Sequence, residues 1–254
     1  MFSDERRLEI LKILEQNGRV LAKDLAIKFD ISVDSVRRDL SIMEEQGVLK
    51  RTHGGAIPVP EVRHIPQSPS KRYGEGSVFQ NTIAKLAVSY IKENQTLFIG
   101  GAAIHYVMLK YLPTDIPFTV ITNSVETAYH LRDLGNVQTF LIGGNVKSSG
   151  NITDSIANEF VKQFTFDLCF ATAGALSSKG LSTATPDVSV FYKNVLDHSK
   201  KNVALIEHFK FGLDMFSCMY PIKGIDVIIT DEDTLEEEIN AIKSLGVEVI
   251  VARN

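Results

Sequence analysis

The sequence predicts an α/β chain: a small helical unit at the N-terminus, then an open, mostly parallel sheet. Three observations predict it. Residues 3–46 carry apolar residues at helical spacing, broken by Gly18, Asp30 and Gly47. Residues 58–76 hold Pro58, Pro60, Pro66, Pro69, Gly74 and Gly76 with almost no apolar periodicity, as in a semi-rigid linker. From Ser77 onward, short apolar runs alternate with longer periodic stretches, the pattern of a parallel sheet covered by helices. The expected division is therefore 1–57, a linker over 58–76, and 77–254.

The first helix is expected over Ser3–Asn17, with Leu8, Leu11 and Leu14 inward and Gly18 as terminator. A second is expected over Ala22–Phe29, with Leu25, Ala26 and Phe29 inward. Asp30-Ile31-Ser32 then makes a tight turn into a third helix, which Ser32 caps through its hydroxyl and Gly47 ends. In that helix Val33, Val36, Leu40 and Met43 form the apolar face. Ser32, Asp34, Ser35, Arg37, Arg38 and Ser41 fall near its start or off that face. A helix packed on one side, with two adjacent arginines and small hydroxyls on the other, suits a DNA major groove. Val48–Thr52 and Ala56–Val59 read as two short strands around Gly54-Gly55, a wing placing Lys50, Arg51 and His53 near phosphates. The blander reading is a helical hairpin with a solvated arginine face. Net charge does not separate the two: residues 1–57 hold ten Lys or Arg and ten Asp or Glu, so the chain's −4 lies wholly in residues 58–254.

In the second part, strands are expected at Thr96–Ile99, Phe118–Thr122, Thr139–Ile142, Leu168–Ala171, Val203–Ile206, Val227–Thr230 and Val247–Val251. Helices are expected near Ile83–Lys92, Ile104–Leu112, Val125–Leu134, Ile156–Phe164, Val188–His198 and Leu235–Leu245. Ligands of such sheets bind at the carboxyl ends of the strands. Those ends read Gly100-Gly101, Thr122-Asn123-Ser124, Gly143-Gly144 and Ala173-Gly174-Ala175. Glycines there let backbone N–H groups approach an anion, and Thr122, Asn123 and Ser124 add hydroxyl and amide contacts. Equally, Gly and Asn simply make tight turns after strands.

Composition bounds the function class. With 44% hydrophobic residues the chain is ordinary globular material, and no apolar run approaches the roughly 20 residues of a membrane helix. Two isolated cysteines, Cys169 and Cys218, read as buried thiols rather than as a disulfide framework or a zinc site. A cytoplasmic protein without cofactor or metal is expected.

The run Ser32-Val33-Asp34-Ser35-Val36-Arg37-Arg38-Asp39-Leu40, followed by Gly47-Val48-Leu49 and Arg51-Thr52-His53-Gly54-Gly55-Ala56, resembles the signature of the DeoR family of bacterial transcriptional regulators. Leu21 departs from it, where the family often has a Ser or Thr capping the second helix. The second part is similar to the DeoR-type effector domain at Thr122-Asn123-Ser124, Gly143-Gly144, Gly174 with Gly180-Leu181-Ser182-Thr183, and Phe209-Lys210-Phe211-Gly212. The resemblance implies a winged helix-turn-helix followed by a domain sharing its fold with ribose-5-phosphate isomerases and CoA transferases. It implies a repressor of carbohydrate metabolism, a double-stranded DNA operator and a homo-oligomer (dimer or tetramer). A small-molecule effector, typically a phosphorylated sugar, goes with Arg72 and Lys210 as candidate contacts. Several positions depart from the family. Its first phosphate-binding turn commonly carries an acid and hydroxyls, but here reads Gly100-Gly101-Ala102-Ala103. Its Glu-x-Lys pair falls on Val190 and Tyr192, its Asp-Ser before the lysine is Glu207-His208, and a lysine expected before the first effector helix is Gln80. Such a turn holds phosphate poorly, since charge-assisted hydrogen bonds are among the stronger contacts available. The alternative is an enzyme of the same fold, with Glu207 beside His208 as acid/base pair and Asp167 and Asp187 near other strand ends.

Overall fold

A computed structural model of the chain describes residues 3–52, 54–59 and 74–253, apart from the side chains of Asp4, Glu15 and Gln16. It divides into two compact units, 1–61 and 62–254. His53, Arg72 and most of the expected linker lie outside the described residues.

The first unit runs α1 (Ser3–Asn17), β1 (Val20–Leu21), α2 (Ala22–Phe29), α3 (Val33–Glu45), β2 (Leu49–Arg51) and β3 (Gly55–Pro58). Its core is Ile10, Leu14, Leu25, Val36, Leu40, Met43 and Leu49, each 3% exposed or less. On α1 the inward face is set by Ile10 and Leu14, one turn apart, while Leu8 is 62% exposed; the expected Leu8-Leu11-Leu14 face is rotated by that much. Ser32 caps α3 as expected, its hydroxyl accepting the Ser35 N–H at 3.2 Å. Gln46 closes α3, and Gly47 follows at φ +72°. Leu21 gives α2 no side-chain cap. The Ala22 N–H donates instead to the Gly54 carbonyl at 2.8 Å, because β1 adds to β3 as a third strand that the sequence pattern does not reveal. The sheet order is β1-β3-β2, all antiparallel. Gly55 is required at that seam, since a Cβ there would run into the Val20 carbonyl.

The second unit is built on a seven-stranded parallel sheet. Its strands are β4 (Thr96–Ile99), β5 (Phe118–Thr122), β6 (Val137–Leu141), β7 (Leu168–Ala171), β10 (Asn202–Leu205), β12 (Val227–Asp231) and β13 (Glu248–Ala252), in the order β13-β12-β10-β7-β4-β5-β6. The near-continuous apolar runs follow from burial on both faces. Alternate residues serve opposite cores: Phe98, Ile121, Cys169, Ala204 and Ile228 on one side, Ile99, Val120, Phe170, Leu205 and Ile229 on the other. The first side is covered by α7 (Ser155–Val161), α8 (Pro186–Asp197) and α9 (Glu236–Lys243); the second by α4 (Val78–Ala87), α5 (Ala103–Met108) and α6 (Val125–Leu131). A small antiparallel sheet, β8 (Ala175–Ser177), β9 (Gly180–Thr183) and β11 (Ser217–Pro221), is absent from the sequence reading. Its strands are three to five residues long and mix polar with apolar.

After β4 the chain builds β5 and β6 on one side and then returns to place β7 on the other. The carboxyl ends of β4 and β7 thus flank the topological switch point, where open sheets of this kind take ligands.

Candidate DNA-binding surface and effector site

On α3 the packed face leaves Arg37 and Arg38 exposed, with Ser35 and Ser41 half-buried. The Arg37 guanidinium reaches back to Asp34 at 3.2 Å, an exposed pair one turn apart of little energetic weight. Asp39, though on the same helix, is only 4% exposed. The Arg6 Nε donates to it at 2.7 Å, and the Arg7 Nε lies 3.9 Å from its other oxygen. This pair fixes α3 against α1, a role the sequence motif contains but does not reveal.

The wing is tied to the same helix. The Arg51 N–H donates to Glu44 Oε1 at 2.9 Å, and its guanidinium donates to Ser41 Oγ at 3.0 Å. Lys50 is exposed beside it. Arg51→Ala is expected to lower DNA affinity and to reduce the slope of log affinity against log salt by about one phosphate contact. Titration of a duplex at several salt concentrations measures this, and an unchanged slope would remove Arg51 from the phosphates.

At the carboxyl edge of the parallel sheet, Thr122, Asn123 and Ser124 are buried and engaged within the chain. The Ser124 N–H donates to Thr122 Oγ1 at 3.1 Å, and the Ser124 hydroxyl accepts the Thr127 N–H at 3.2 Å at the start of α6. Asn123 Nδ2 donates to the Ile152 carbonyl at 3.0 Å, and Thr127 Oγ1 donates to the Gly100 carbonyl at 3.1 Å. The Thr-Asn-Ser turn and the helix it starts therefore reach both sides, Asn123 to the loop at 151–153 and Thr127 to the Gly100 turn.

The Gly100-Gly101 turn is filled from outside. A Cβ on Gly100 would collide with the Tyr192 hydroxyl, and one on Gly101 with Asn151 Oδ1 and the Ser124 side chain. Tyr192 is 7% exposed. Its ring packs edge-on to Phe98 with centroids 5.8 Å apart. Gly143 and Gly144 are exposed; beside them the Asn145 N–H donates to Asp154 Oδ2 at 2.6 Å, and Asp154 caps α7 through the Ala157 N–H. Gly174 is exposed on the turn between β7 and β8, its N–H donating to the Ser182 carbonyl at 3.0 Å.

Lys210 is neither solvated nor unpaired. Its ammonium lies 2.5 Å from Glu207 Oε2 and 3.5 Å from Thr172 Oγ1, with the side chain 15% exposed. The other Glu207 oxygen accepts from Gln80 Nε2 at 2.8 Å. Burial acts to raise the Glu207 carboxyl, but the Lys210 charge and the hydrogen bonds from Lys210 and Gln80 prevail and hold it below its ordinary value. His208 is occupied as well: its backbone N–H and Nδ1 meet the two oxygens of Asp231 at 2.9 and 2.8 Å. His105, fully buried under the Gly100 turn, has its pKa pushed down to about 4 chiefly by burial, so the ring is neutral near pH 7.

Of the two acids expected near other strand ends, Asp167 lies at the amino end of its strand and Asp187 on a helix. Asp167 precedes β7, at the opposite edge of the sheet from the carboxyl ends. It accepts from the Thr96 N–H at 2.9 Å and from Lys200 at 2.7 Å, which keeps its carboxyl low. Asp187, in the first turn of α8, pairs with Lys147 and accepts from Thr153 Oγ1 at 3.2 Å. Of the groups around Lys210, the Glu207–Lys210 pair had a sequence signal in its i, i+3 spacing. Gln80, 127 positions before Glu207, stood out only as a departure from the family's lysine, with no sign of its contact with Glu207.

An N-capped helix presenting two arginines, a wing pinned to it, and a separate parallel-sheet unit with a switch-point edge define a DNA-binding regulator with a sensor domain. The DeoR-like helix-turn-helix domain matches residues 6–61, and the DeoR C-terminal sensor domain matches residues 79–232. The chain is 28% identical over 254 residues to the HTH-type transcriptional regulator GolR of Listeria innocua, covering 99% of this chain and 100% of that one. It is 29% identical over 252 residues to the HTH-type transcriptional repressor GlcR of Bacillus subtilis (99% and 97%). It is 30% identical over 231 residues to the lactose phosphotransferase system repressor of Lactococcus lactis (89% and 91%). Among solved structures it is similar to ribose 5-phosphate isomerase A of Methanocaldococcus jannaschii, with TM-score 0.39 and 14% identity over 52% of each chain. The chain belongs to the DeoR family of transcriptional regulators. Among the described residues, no helix is long and apolar enough to cross a membrane.

Proposed function

We propose that the protein is a repressor of an operon for carbohydrate uptake or metabolism, whose grip on its operator changes when a small metabolite binds the carboxyl edge of the parallel sheet. The observation that carries the DNA half is the exposed Arg37-Arg38 pair on a helix whose opposite face is buried and whose start is capped by Ser32. Ser32, Asp34, Ser35, Arg37, Arg38 and Ser41 are assigned to the groove side and Lys50 and Arg51 to the phosphate side, with His53 following them in the sequence as a further candidate. The carbohydrate assignment is supported by the relatives, two of which are named lactose phosphotransferase system repressors. The effector half draws on Gly100, Gly101, Thr122, Asn123, Ser124, Gly143, Gly144, Gly174 and Lys210 at or beside the strand ends, with Arg72 preceding the domain. One winged helix makes few base contacts, so the working form is a symmetric dimer or tetramer reading repeated half-sites in the cytoplasm.

The test is binding of the purified protein to DNA upstream of its own gene, at fixed salt, with and without a panel of sugar phosphates and free sugars. An effector is expected to shift operator affinity by 5- to 150-fold, the usual range of such coupling. Arg38→Ala is expected to cost about 1–3 kcal/mol on the operator while sparing random DNA, if its guanidinium reads a base. Equal losses on both would reassign Arg38 to a phosphate.

A further inference from the structure

Strand β6 (Val137–Leu141) ends one side of the parallel sheet, and among the described residues no strand pairs with its outer side. Its backbone is set for a partner. The Phe118 N–H donates to the Asn136 carbonyl at 3.2 Å and the Ile142 N–H to the Thr122 carbonyl at 2.8 Å. Residues 136 and 142 thus face β5, and alternation along a parallel pair places 138 and 140 with them. The N–H and C=O of Thr139 and Leu141, and the C=O of Val137, then point outward. The Val137 N–H is already engaged by the Leu134 carbonyl at 3.1 Å.

Open strand edges are ordinarily protected by charge, proline or a bulge. Here all three are missing: residues 134–146 contain no Asp, Glu, Lys, Arg or Pro, and the register with β5 runs unbroken from Val137 to Leu141. Phe140 and Leu141 are 42% and 41% exposed, on opposite faces of the strand. The Phe140 ring continues onto the flank of α7, with centroids 6.2 Å from Phe164, which lies 5.4 Å from Phe160. Ile156, one turn before Phe160, is also exposed. At the opposite edge of the sheet, β13 exposes no large hydrophobic side chain.

We propose that β6 and the adjoining flank of α7 are the interface between two copies of this chain, with the two β6 strands antiparallel about a twofold axis at Thr139. In that register each Thr139 N–H donates to the other copy's Thr139 carbonyl, and each Leu141 N–H to the other's Val137 carbonyl. These are the groups that β6 leaves outward, and the engaged Val137 N–H falls at the end of the ladder. A charge beside a twofold axis lies close to its own image, so an uncharged strand suits self-pairing. The backbone edge alone would accept any extended peptide; the absence of charge and the reciprocal ladder select a second copy. This rests on the reading that the regulator works as a symmetric oligomer, and gives that oligomer its surface.

Sedimentation velocity of the full-length protein over a range of concentrations tests it, on wild type, Thr139→Pro, Leu141→Lys and Val190→Lys. Proline at 139 removes an outward N–H and no bond to β5. Lysine at 141 puts a charge into the seam. Val190, exposed on α8, is the control. Wild type is expected to associate, and each edge substitution to weaken that association at least tenfold, while Val190→Lys leaves it unchanged. Association as tight as wild type's in either folded edge variant overturns the inference, as does equal weakening by Val190→Lys. A monomeric wild type also overturns it; protection of its Thr139 and Leu141 amides from hydrogen exchange would then show that another segment of the chain covers the edge. Should Thr139→Pro fail to fold, as read by circular dichroism, Leu141→Lys decides: weaker association supports the inference and unchanged association overturns it. Operator titration separates this inference from the proposed function. A wild-type oligomer that binds operator and survives both edge substitutions keeps the function and sinks the β6 seam. A wild-type oligomer that those substitutions split, but that binds no operator, keeps the seam and sinks the function.

Discussion

Replacing Asp39 with alanine is expected to destabilise the N-terminal unit by about 3 kcal/mol. Removing one member of a buried ion pair typically costs 3–5 kcal/mol, because the remaining charge is left without a partner. The lower end applies here, since Arg6 keeps 13% of its side chain in contact with water. The effect should reach function, because Asp39 ties the helix carrying Arg37 and Arg38 to α1. Loss of that tie frees α3 to shift, and base contacts tolerate little displacement. Denaturant unfolding of the full chain, with hydrogen exchange followed in α1 and α3, measures the stability term; operator titration measures the functional one. The charge-neutral, nearly isosteric Asp39→Asn should lose less, since an amide oxygen can still accept from Arg6. A loss below about 1 kcal/mol in Asp39→Ala would mean that Arg6 finds another partner and that the clamp is dispensable.

Phe98→Ala should cost more, about 4 kcal/mol, within the 3–5 kcal/mol seen when a fully buried aromatic is truncated and its cavity only partly collapses. Phe98 lies in β4, fully buried, with ring centroids 5.7 Å from Phe166, 6.0 Å from Phe191 and 5.8 Å from Tyr192. It supports the Tyr192 ring that fills the space over Gly100. The variant should therefore loosen the sensor edge as well as weaken the sheet. Thermal and denaturant unfolding give the first quantity, and hydrogen exchange of the Gly100 turn gives the second. A cost under about 1.5 kcal/mol would show that α8 settles into the space and that Tyr192 does not depend on this ring.

What the sequence determined by itself is what short-range physics controls. Helical spacing placed Val36, Leu40 and Met43 on one face and left Arg37 and Arg38 outside, and all three apolar residues are buried. The Ser32 cap is local and is present. Apolar runs of four to six residues marked each strand of the parallel sheet to within two residues, because strands buried on both faces have little choice of composition. Where the signal was weaker than the local pattern, it misled. Leu8 sits near enough to helical spacing to look inward, yet the partner surfaces take Ile10 and leave it exposed.

Only the tertiary structure decided matters that depend on residues far apart in the chain. Strand β1 is two residues long and exists because β3, some 35 positions later, offers it a partner. The small β8-β9-β11 sheet forms for the same reason. The sensor edge shows this most plainly. Gly100-Gly101 and Lys210 suggest an anion site when read along the chain. Brought together in space, the glycines are covered by Tyr192 and Asn151, and the lysine is held by Glu207, itself held by Gln80. An ammonium 3 positions from a carboxylate can pair with it or face a ligand. Which of the two it does is set by burial and by the hydrogen bond from a helix 127 residues away, and neither is written in the local sequence.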